Sequence, residues 1–325
     1  MGNPLNWFFM ANPNPIVVDP TVQQLFDIEK VPKALRDNHL HTPDDPLPVI
    51  DSIEKPVCFV CSNRSWDSEY LHALPGDSWV TTVGVGYERY PLDRFREQNI
   101  MFTNNPGISA PQIAEHVFGM AIAFNRRLLE YRDKQRAHEW RRWPGMTDLA
   151  GEICTVVGLG GIGEAVASRA VAFDMTVRGI KRSISEYDGV VDDLYRPSEL
   201  HSALKDAHLV VISVPLTDQT EGLIGAEELS TVDSDGILIN VARGAVVEMD
   251  ALESALETGN IRAAGLDVTD PEPLPPASPL WDRRDVLITP HCAGASLKYP
   301  ERYVDRFLEQ YNRWIRGETL VDRVV

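Results

Sequence analysis

The chain has little cysteine, little lysine and no long apolar run, and each shortage removes a class of protein. Four cysteines scattered through 325 residues cannot form a disulfide framework. Cys58 and Cys61 make a C-x-x-C pair inside the strand-like PVCFVC, with no second pair nearby, so they read as buried thiols and not as a zinc site. Cys154 opens another strand and Cys292 stands alone after His291. No apolar stretch approaches the roughly 18 to 20 residues that span a bilayer. The opening segment MGNPLNWFFMANPNP lacks the charged region that precedes the apolar core of a secretory signal, which points to a cytoplasmic protein. Excess positive charge is also missing: 31 basic against 48 acidic side chains leave a net charge of −17. That charge repels nucleic acid and anionic membranes alike.

What is present is an ordinary globular chain, 43% apolar, long enough for two domains. Short strands at IVVD (16–19), VCFV (57–60) and WVTTVG (79–84) suggest a small α/β unit over the first hundred residues. From about Ser109 a long helix is predicted over PQIAEHVFGMAIAFNRRLLEYRDKQ, apolar at helical spacing in its first half. After Leu149 the order becomes strictly βαβ. The predicted strands are CTVVG, MTVRGI, HLVVISV, GILINVA, AAGLDV and VLITP, with helices over 161–173 and near 198–205. Nearly continuous apolar strands of this kind belong in a parallel sheet covered on both faces. A last helix runs through YPERYVDRFLEQYNRWIRG. One basic island breaks the acidic background: between Arg126 and Arg142 stand seven Arg or Lys and three Asp or Glu, read as a solvated face or subunit contact.

Gly158, Gly160 and Gly163 fit G-x-G-x-x-G between a strand and a helix. The first glycine permits the turn, the second lets backbone approach a pyrophosphate, and the third lets helix and strand pack closely. The helix N-terminus adds unpaired N–H groups and a positive dipole end. NAD-binding loops then place an acid about 20 residues on, on the adenosine ribose. Here that neighbourhood reads Lys181, Arg182, Ser183, three donors suited to a 2′-phosphate. The expected cofactor is NADP(H), with NAD(H) as the alternative.

Three further motifs stand at or near later strand ends: NVARG (240–244), DPEPLP (270–275) and TPH (289–291). They supply a cation, a carboxylate and an imidazole at the edge where open α/β sheets bind ligands. With PLTDQTEGLIGAEEL, ILINVARGAVVEMDAL and GLDV, the chain resembles the D-isomer-specific 2-hydroxyacid dehydrogenases over nearly its whole length, in the NADP-preferring, haloarchaeal-like manner. That resemblance implies a Rossmann-type doubly wound domain over 106–297, inserted into a smaller flavodoxin-like α/β substrate domain formed by 1–105 and 298–325. It implies a homodimer and a small 2-keto or 2-hydroxy acid substrate, with no nucleic acid and no membrane as partner. It makes Arg243, Glu272 and His291 the catalytic set. Gly161, Ile162, Val214, Pro215, Thr220, Val241, Ala242, Asp267 and Gly294 join the glycines, Lys181, Arg182, Ser183, Arg243 and His291 around the cofactor. Asp267 is expected to meet the nicotinamide carboxamide. Val85 and Gly86, with Arg243 and His291, are expected around the substrate. The chemistry agrees: reduction of a keto acid needs a proton donor beside the carbonyl oxygen, and His291 can supply it. Glu272 beside the ring would favour its protonated form, and Arg243 would hold the carboxylate or polarise the carbonyl.

The chain departs from the family pattern at Lys181, at Thr269, where an aromatic commonly follows GLDV, and at Glu88 and Arg89, where DN is usual. Trp66, Tyr87, Arg89, Met101 and Tyr299 are the pocket candidates. Formate dehydrogenase is disfavoured because its histidine is paired with glutamine. A short phosphoglycerate or glycerate dehydrogenase, or a nucleotide-sensing corepressor-like protein, stands as the alternative. Of the charged residues, 24 are Arg, 7 Lys, 26 Asp and 22 Glu, the balance of a protein working in a salt-rich cytoplasm, where carboxylates are screened. The melting temperature should therefore rise between low and molar KCl; a flat or falling value in a thermal-shift series contradicts this reading.

Overall fold

The computed structural model describes residues 13–142, 144–185 and 187–325; most of the opening segment read above for a signal lies outside them. The chain divides into two compact units, Met1–Ile108 with Ser296–Val325, and Ser109–Ala295. The sequence pattern puts these boundaries at 105/106 and 297/298.

The first unit is built on five parallel strands: β1 (Ile16–Val18), β2 (Leu40–His41), β3 (Cys58–Cys61), β4 (Trp79–Thr82) and β5 (Met101–Thr103). Their order is β2-β1-β3-β4-β5, the flavodoxin-like order. Alternation along β3 sends Cys58 and Val60 to one face and Phe59 and Cys61 to the other. The face carrying Cys58 packs on the helix Tyr299–Ile315, whose Phe307 stacks on Trp79 at 5.6 Å between ring centroids. The Trp79 indole N–H donates to Thr103 Oγ1 at 2.9 Å. The chain end returns to the β5 edge, where Val324 N–H donates to Phe102 O and Phe102 N–H to Val325 O.

Seven parallel strands form the second unit: β6 (Ile153–Val157), β7 (Thr176–Ile180), β8 (Asp193–Tyr195), β9 (Leu209–Ile212), β10 (Ile237–Asn240), β11 (Ala263–Leu266) and β12 (Val286–Ile288). The order is β12-β11-β10-β9-β6-β7-β8, so the direction of winding reverses between β6 and β9. The glycine loop leaves β6 at this switch point, the position where doubly wound sheets bind ligands. β6, β9, β10 and β11 carry apolar side chains on both faces, each covered by helices.

Sequence reading missed β2, β5 and β8. All three are edge strands of two or three residues, too short to show a period. The predicted long helix is two helices, Ala110–Asn125 and Leu128–Arg136, broken at Arg127 with φ +52°. Asn125 explains the break. It is buried, and its Oδ1 accepts from Thr147 Oγ1 at 2.6 Å and lies 3.0 Å from His208 Nε2, which anchors the first helix end in the core. No residue of the second helix is fully buried, although Leu129 packs against the core. In the basic island Arg126 pairs with Asp148 at 2.8 Å, Arg127 with Glu130 at 3.0 Å and Lys134 with Glu139 at 2.7 Å.

No helix among the described residues is long and apolar enough to cross a membrane. Cys58, Cys61 and Cys154 are fully buried, and burial pushes their thiols up, to about 12 for Cys154. Cys292 alone is partly exposed. Since the thiolate is the reactive form, a thiol-reactive chromogen should titrate at most one cysteine quickly in the native protein, and all four after denaturation. Two or more fast native thiols contradict the burial described.

Candidate active site

Because all seven strands run parallel, the loops after β6, β9, β10, β11 and β12 leave from the same edge of the sheet. The glycine loop is shaped as its sequence requires. Gly158 has φ +102°, a conformation open to glycine and costly for other residues. A Cβ on Gly163 would stand 2.0 Å from Gly158 O, so loop and helix meet without side chains between them. The helix Gly161–Ala172 then begins at exposed Gly160 and Gly161. A backbone this bare, ending in free N–H groups, fits a dinucleotide pyrophosphate. Ser213 Oγ donates to Gly158 O at 2.7 Å, and Val214 packs against Gly158. In the loop after β9, Thr220 Oγ1 donates to Pro215 O at 2.6 Å and accepts from Thr217 N–H at 2.8 Å.

After β7, Arg182 and Ser183 are exposed, whereas Lys181 is half-buried. Its ammonium donates to Leu159 O at 2.6 Å. Val241 and Ala242 are buried at the end of β10, where Asn240 locks the turn by accepting from Ala242 N–H and donating to Arg243 O. Arg243 follows, half-buried, its guanidinium donating to Ala242 O at 2.8 Å.

His291 Nδ1 lies 2.8 Å from Glu272 Oε1. A carboxylate only accepts, so Nδ1 carries the hydrogen and Nε2 is left for proton exchange. Both side chains are 39% exposed and so open to a small ligand. His291 adopts φ +51°, a left-handed conformation uncommon for its residue type. Asp267 holds it there. Its backbone carbonyl accepts from His291 N–H at 2.8 Å, and its buried carboxylate accepts from Cys292 N–H at 2.9 Å, Ala293 N–H at 3.0 Å and Thr289 Oγ1 at 2.6 Å. Sequence reading gave Asp267 only a cofactor contact and missed this role in carrying the histidine loop.

Thr289 and His116 were also missed. The Thr289 hydroxyl spends its proton on Asp267, so His116 Nε2, at 3.0 Å, is the donor to Thr289 Oγ1. Nothing in the order AEH distinguishes His116 from any other helix residue. Gly294 O accepts from Gln112 Nε2 at 2.9 Å on the same helix, and Ile162 packs in the core beneath the loop. Thr269, where an aromatic was usual, is buried, and its hydroxyl donates to Pro271 O at 2.9 Å within the turn that presents Glu272.

A dinucleotide loop and a histidine–carboxylate pair on one parallel sheet define a dehydrogenase class, and comparison resolves it. The sequence pattern described as "D-isomer specific 2-hydroxyacid dehydrogenase, NAD binding domain" matches residues 118–293. The chain belongs to the D-isomer-specific 2-hydroxyacid dehydrogenase family. It is 33% identical over 273 residues to a glyoxylate/hydroxypyruvate reductase B of Pectobacterium atrosepticum, covering 81% of this chain and 85% of that one. It is 35% identical over 260 residues to a glyoxylate reductase of Korarchaeum cryptofilum, covering 78% and 77%. A D-isomer specific 2-hydroxyacid dehydrogenase of Xanthobacter autotrophicus, solved with NADPH and MES, superposes with a TM-score of 0.76 at 26% identity, covering 97% and 98%. The chain is thus a nicotinamide-dependent oxidoreductase of 2-keto and 2-hydroxy acids, and a corepressor-like role is not favoured.

In the first unit, Val85 and Gly86 follow β4 in a loop tied down by Asn104, whose Nδ2 donates to Val85 O at 2.9 Å. Glu88 and Arg89 are exposed, both bonded to Asn63. Tyr299 is buried and donates its hydroxyl to Val83 O, while Trp66 and Met101 pack against the core clusters of this unit. Asp267→Ala would remove the acceptor of two backbone N–H groups and one hydroxyl, among them the buried N–H of Ala293. It should cost about 3 kcal/mol of stability, read as a lower midpoint in urea; an unchanged midpoint contradicts the role given to its carboxylate.

Proposed function

We propose that this enzyme reduces small 2-keto acids of the glyoxylate and hydroxypyruvate kind to 2-hydroxy acids, of D configuration where the product is chiral, with NADPH preferred over NADH. The observation that carries the reading is the 2.8 Å contact between Glu272 and His291, which leaves Nε2 available as a proton donor. Bound nicotinamide would supply the hydride. His291 Nε2–H gives its proton to the carbonyl oxygen as negative charge grows there, and in oxidation Nε2 takes the hydroxyl proton. Glu272 orients the ring and fixes the tautomer that leaves Nε2 for the substrate. Arg243, permanently charged, binds the substrate carboxylate or polarises the carbonyl. Asp267 has carboxylate capacity left for the nicotinamide amide. Gly158, Gly160 and Gly163 would hold the pyrophosphate, and Lys181, Arg182 and Ser183 would hold the 2′-phosphate.

NADPH bound to the Xanthobacter relative supports this cofactor choice, as do the three donors where an acid is usual. The substrate class is supported by the names of the two reductases compared above. A homodimer built on the cofactor domain belongs to the reading, supported by exposed Leu128, Trp140 and Met146 around the basic island. So does a salt-rich working environment, supported by the excess of Asp and Glu over Lys.

The test mixes the purified protein with NADPH or NADH and a panel of 2-keto acids and follows nicotinamide absorbance. Glyoxylate or hydroxypyruvate should give the highest kcat/KM, with NADPH above NADH. His291→Ala should lower kcat by at least about 100-fold, the scale of general acid catalysis, while circular dichroism stays native. A fully active His291→Ala enzyme overturns the mechanism, and a higher kcat/KM with NADH overturns the cofactor preference.

A further inference from the structure

The NADPH reading leaves one side chain of the cofactor loop without a role. Glu164 is the fourth residue of the helix Gly161–Ala172, one turn above the glycines. Its Oε1 lies 3.9 Å from the Lys181 ammonium and its Oε2 accepts from the Tyr187 hydroxyl at 3.1 Å. The Tyr187 ring lies 5.6 Å from the same ammonium. Lys181 is therefore surrounded by Leu159 O, a carboxylate and an aromatic ring before any ligand arrives. Burial first, then Glu164, pushes the Tyr187 phenol up to about 12, so near neutral pH it remains the hydrogen donor to Glu164.

A 2′-phosphate approaching Lys181 meets two effects of Glu164, both unfavourable to it. The carboxylate, 3.9 Å from the ammonium, already offsets part of its charge, and it would repel a group of the same sign held at that ammonium, within the roughly 8 to 10 Å screening length. Neither effect bears directly on a ribose 2′-hydroxyl, which is neutral. Glu164 side-chain exposure is 35% and that of Lys181 is 34%, so both are open to solvent and to an arriving ligand.

We propose that Glu164 is a specificity-determining residue that competes with the cofactor 2′-phosphate for Lys181 and so limits discrimination between NADPH and NADH. This rests on the assignment of Lys181 to the 2′-phosphate. Arg182 and Ser183, exposed and next in sequence, contribute the part of phosphate binding that Glu164 leaves untouched.

Two nucleotides that differ only in the 2′-phosphate isolate the effect: adenosine 2′,5′-bisphosphate and adenosine 5′-monophosphate. Their dissociation constants are measured calorimetrically on the full chain at low ionic strength. Glu164→Gln keeps an oxygen acceptor for Tyr187 and removes the charge. It should raise the preference for the bisphosphate about fivefold, as expected for removal of one charge at a partly solvated site. Placed on Lys181→Met, the same substitution should give less than half that gain. An unchanged preference in Glu164→Gln, or a full gain that persists without Lys181, overturns the inference. The two readings fail separately. A wild-type enzyme that favours NADH removes the NADPH reading, whereas the change in preference on Glu164→Gln judges Glu164 whichever cofactor the parent prefers.

Discussion

One buried carboxylate organises the catalytic edge. Asp267 stands at the end of β11 and accepts hydrogen bonds from the threonine before His291 and from the two residues after it. Its own carbonyl holds the His291 N–H. Without these acceptors nothing comparable would offset the left-handed backbone of His291. The imidazole would then lose the geometry that brings Nδ1 to Glu272. A buried charge is costly unless its hydrogen-bonding capacity is used, and here that use is what shapes the loop. His116 extends the same network through Thr289 to the helix Ala110–Asn125, so a residue remote from the chemistry in sequence is joined to it in space.

The rest of the site follows from the parallel sheet. Parallel strands place successive loop starts at one edge, so residues from 158 to 291 can serve one small volume although more than a hundred positions separate them. The switch point between β6 and β9 opens that edge for the dinucleotide. In the proposed reading, charge then selects among cofactors. A basic triplet follows β7 where an acid is usual, yet its first member is already engaged by Leu159 O and approached by Glu164. In the proposed reading, selectivity is a balance of these neighbours and not the property of one side chain.

Much of the fold was legible because strong local signals survive in single segments. β3, β4, β6, β7 and β9 to β12 announce themselves as apolar runs, and G-x-G-x-x-G marks its loop by steric need alone. The edge strands β2, β5 and β8 gave no such signal, since two or three residues with one neighbour cannot establish a period. The helix break after Asn125 was equally hidden. Arg126 and Arg127 are good helix formers, and only the burial of Asn125 against His208 and Thr147 ends the first helix there. Tyr299 and Met101 looked like pocket residues by type; Tyr299 is buried in the core of the first unit, and Met101 is half-buried against it.

The sequence by itself determined the chemical types available: bare glycines for a phosphate, a basic triplet after β7, a guanidinium, a carboxylate and an imidazole at strand ends. These are properties of residues and their immediate neighbours, and local chemistry is enough to read them. Tertiary structure decided which of them act together. Glu272 meets His291 across 19 positions, and Lys181 turns to a carbonyl 22 positions earlier. Such pairings depend on chain paths that fold from hundreds of weak contacts, and no single segment encodes them.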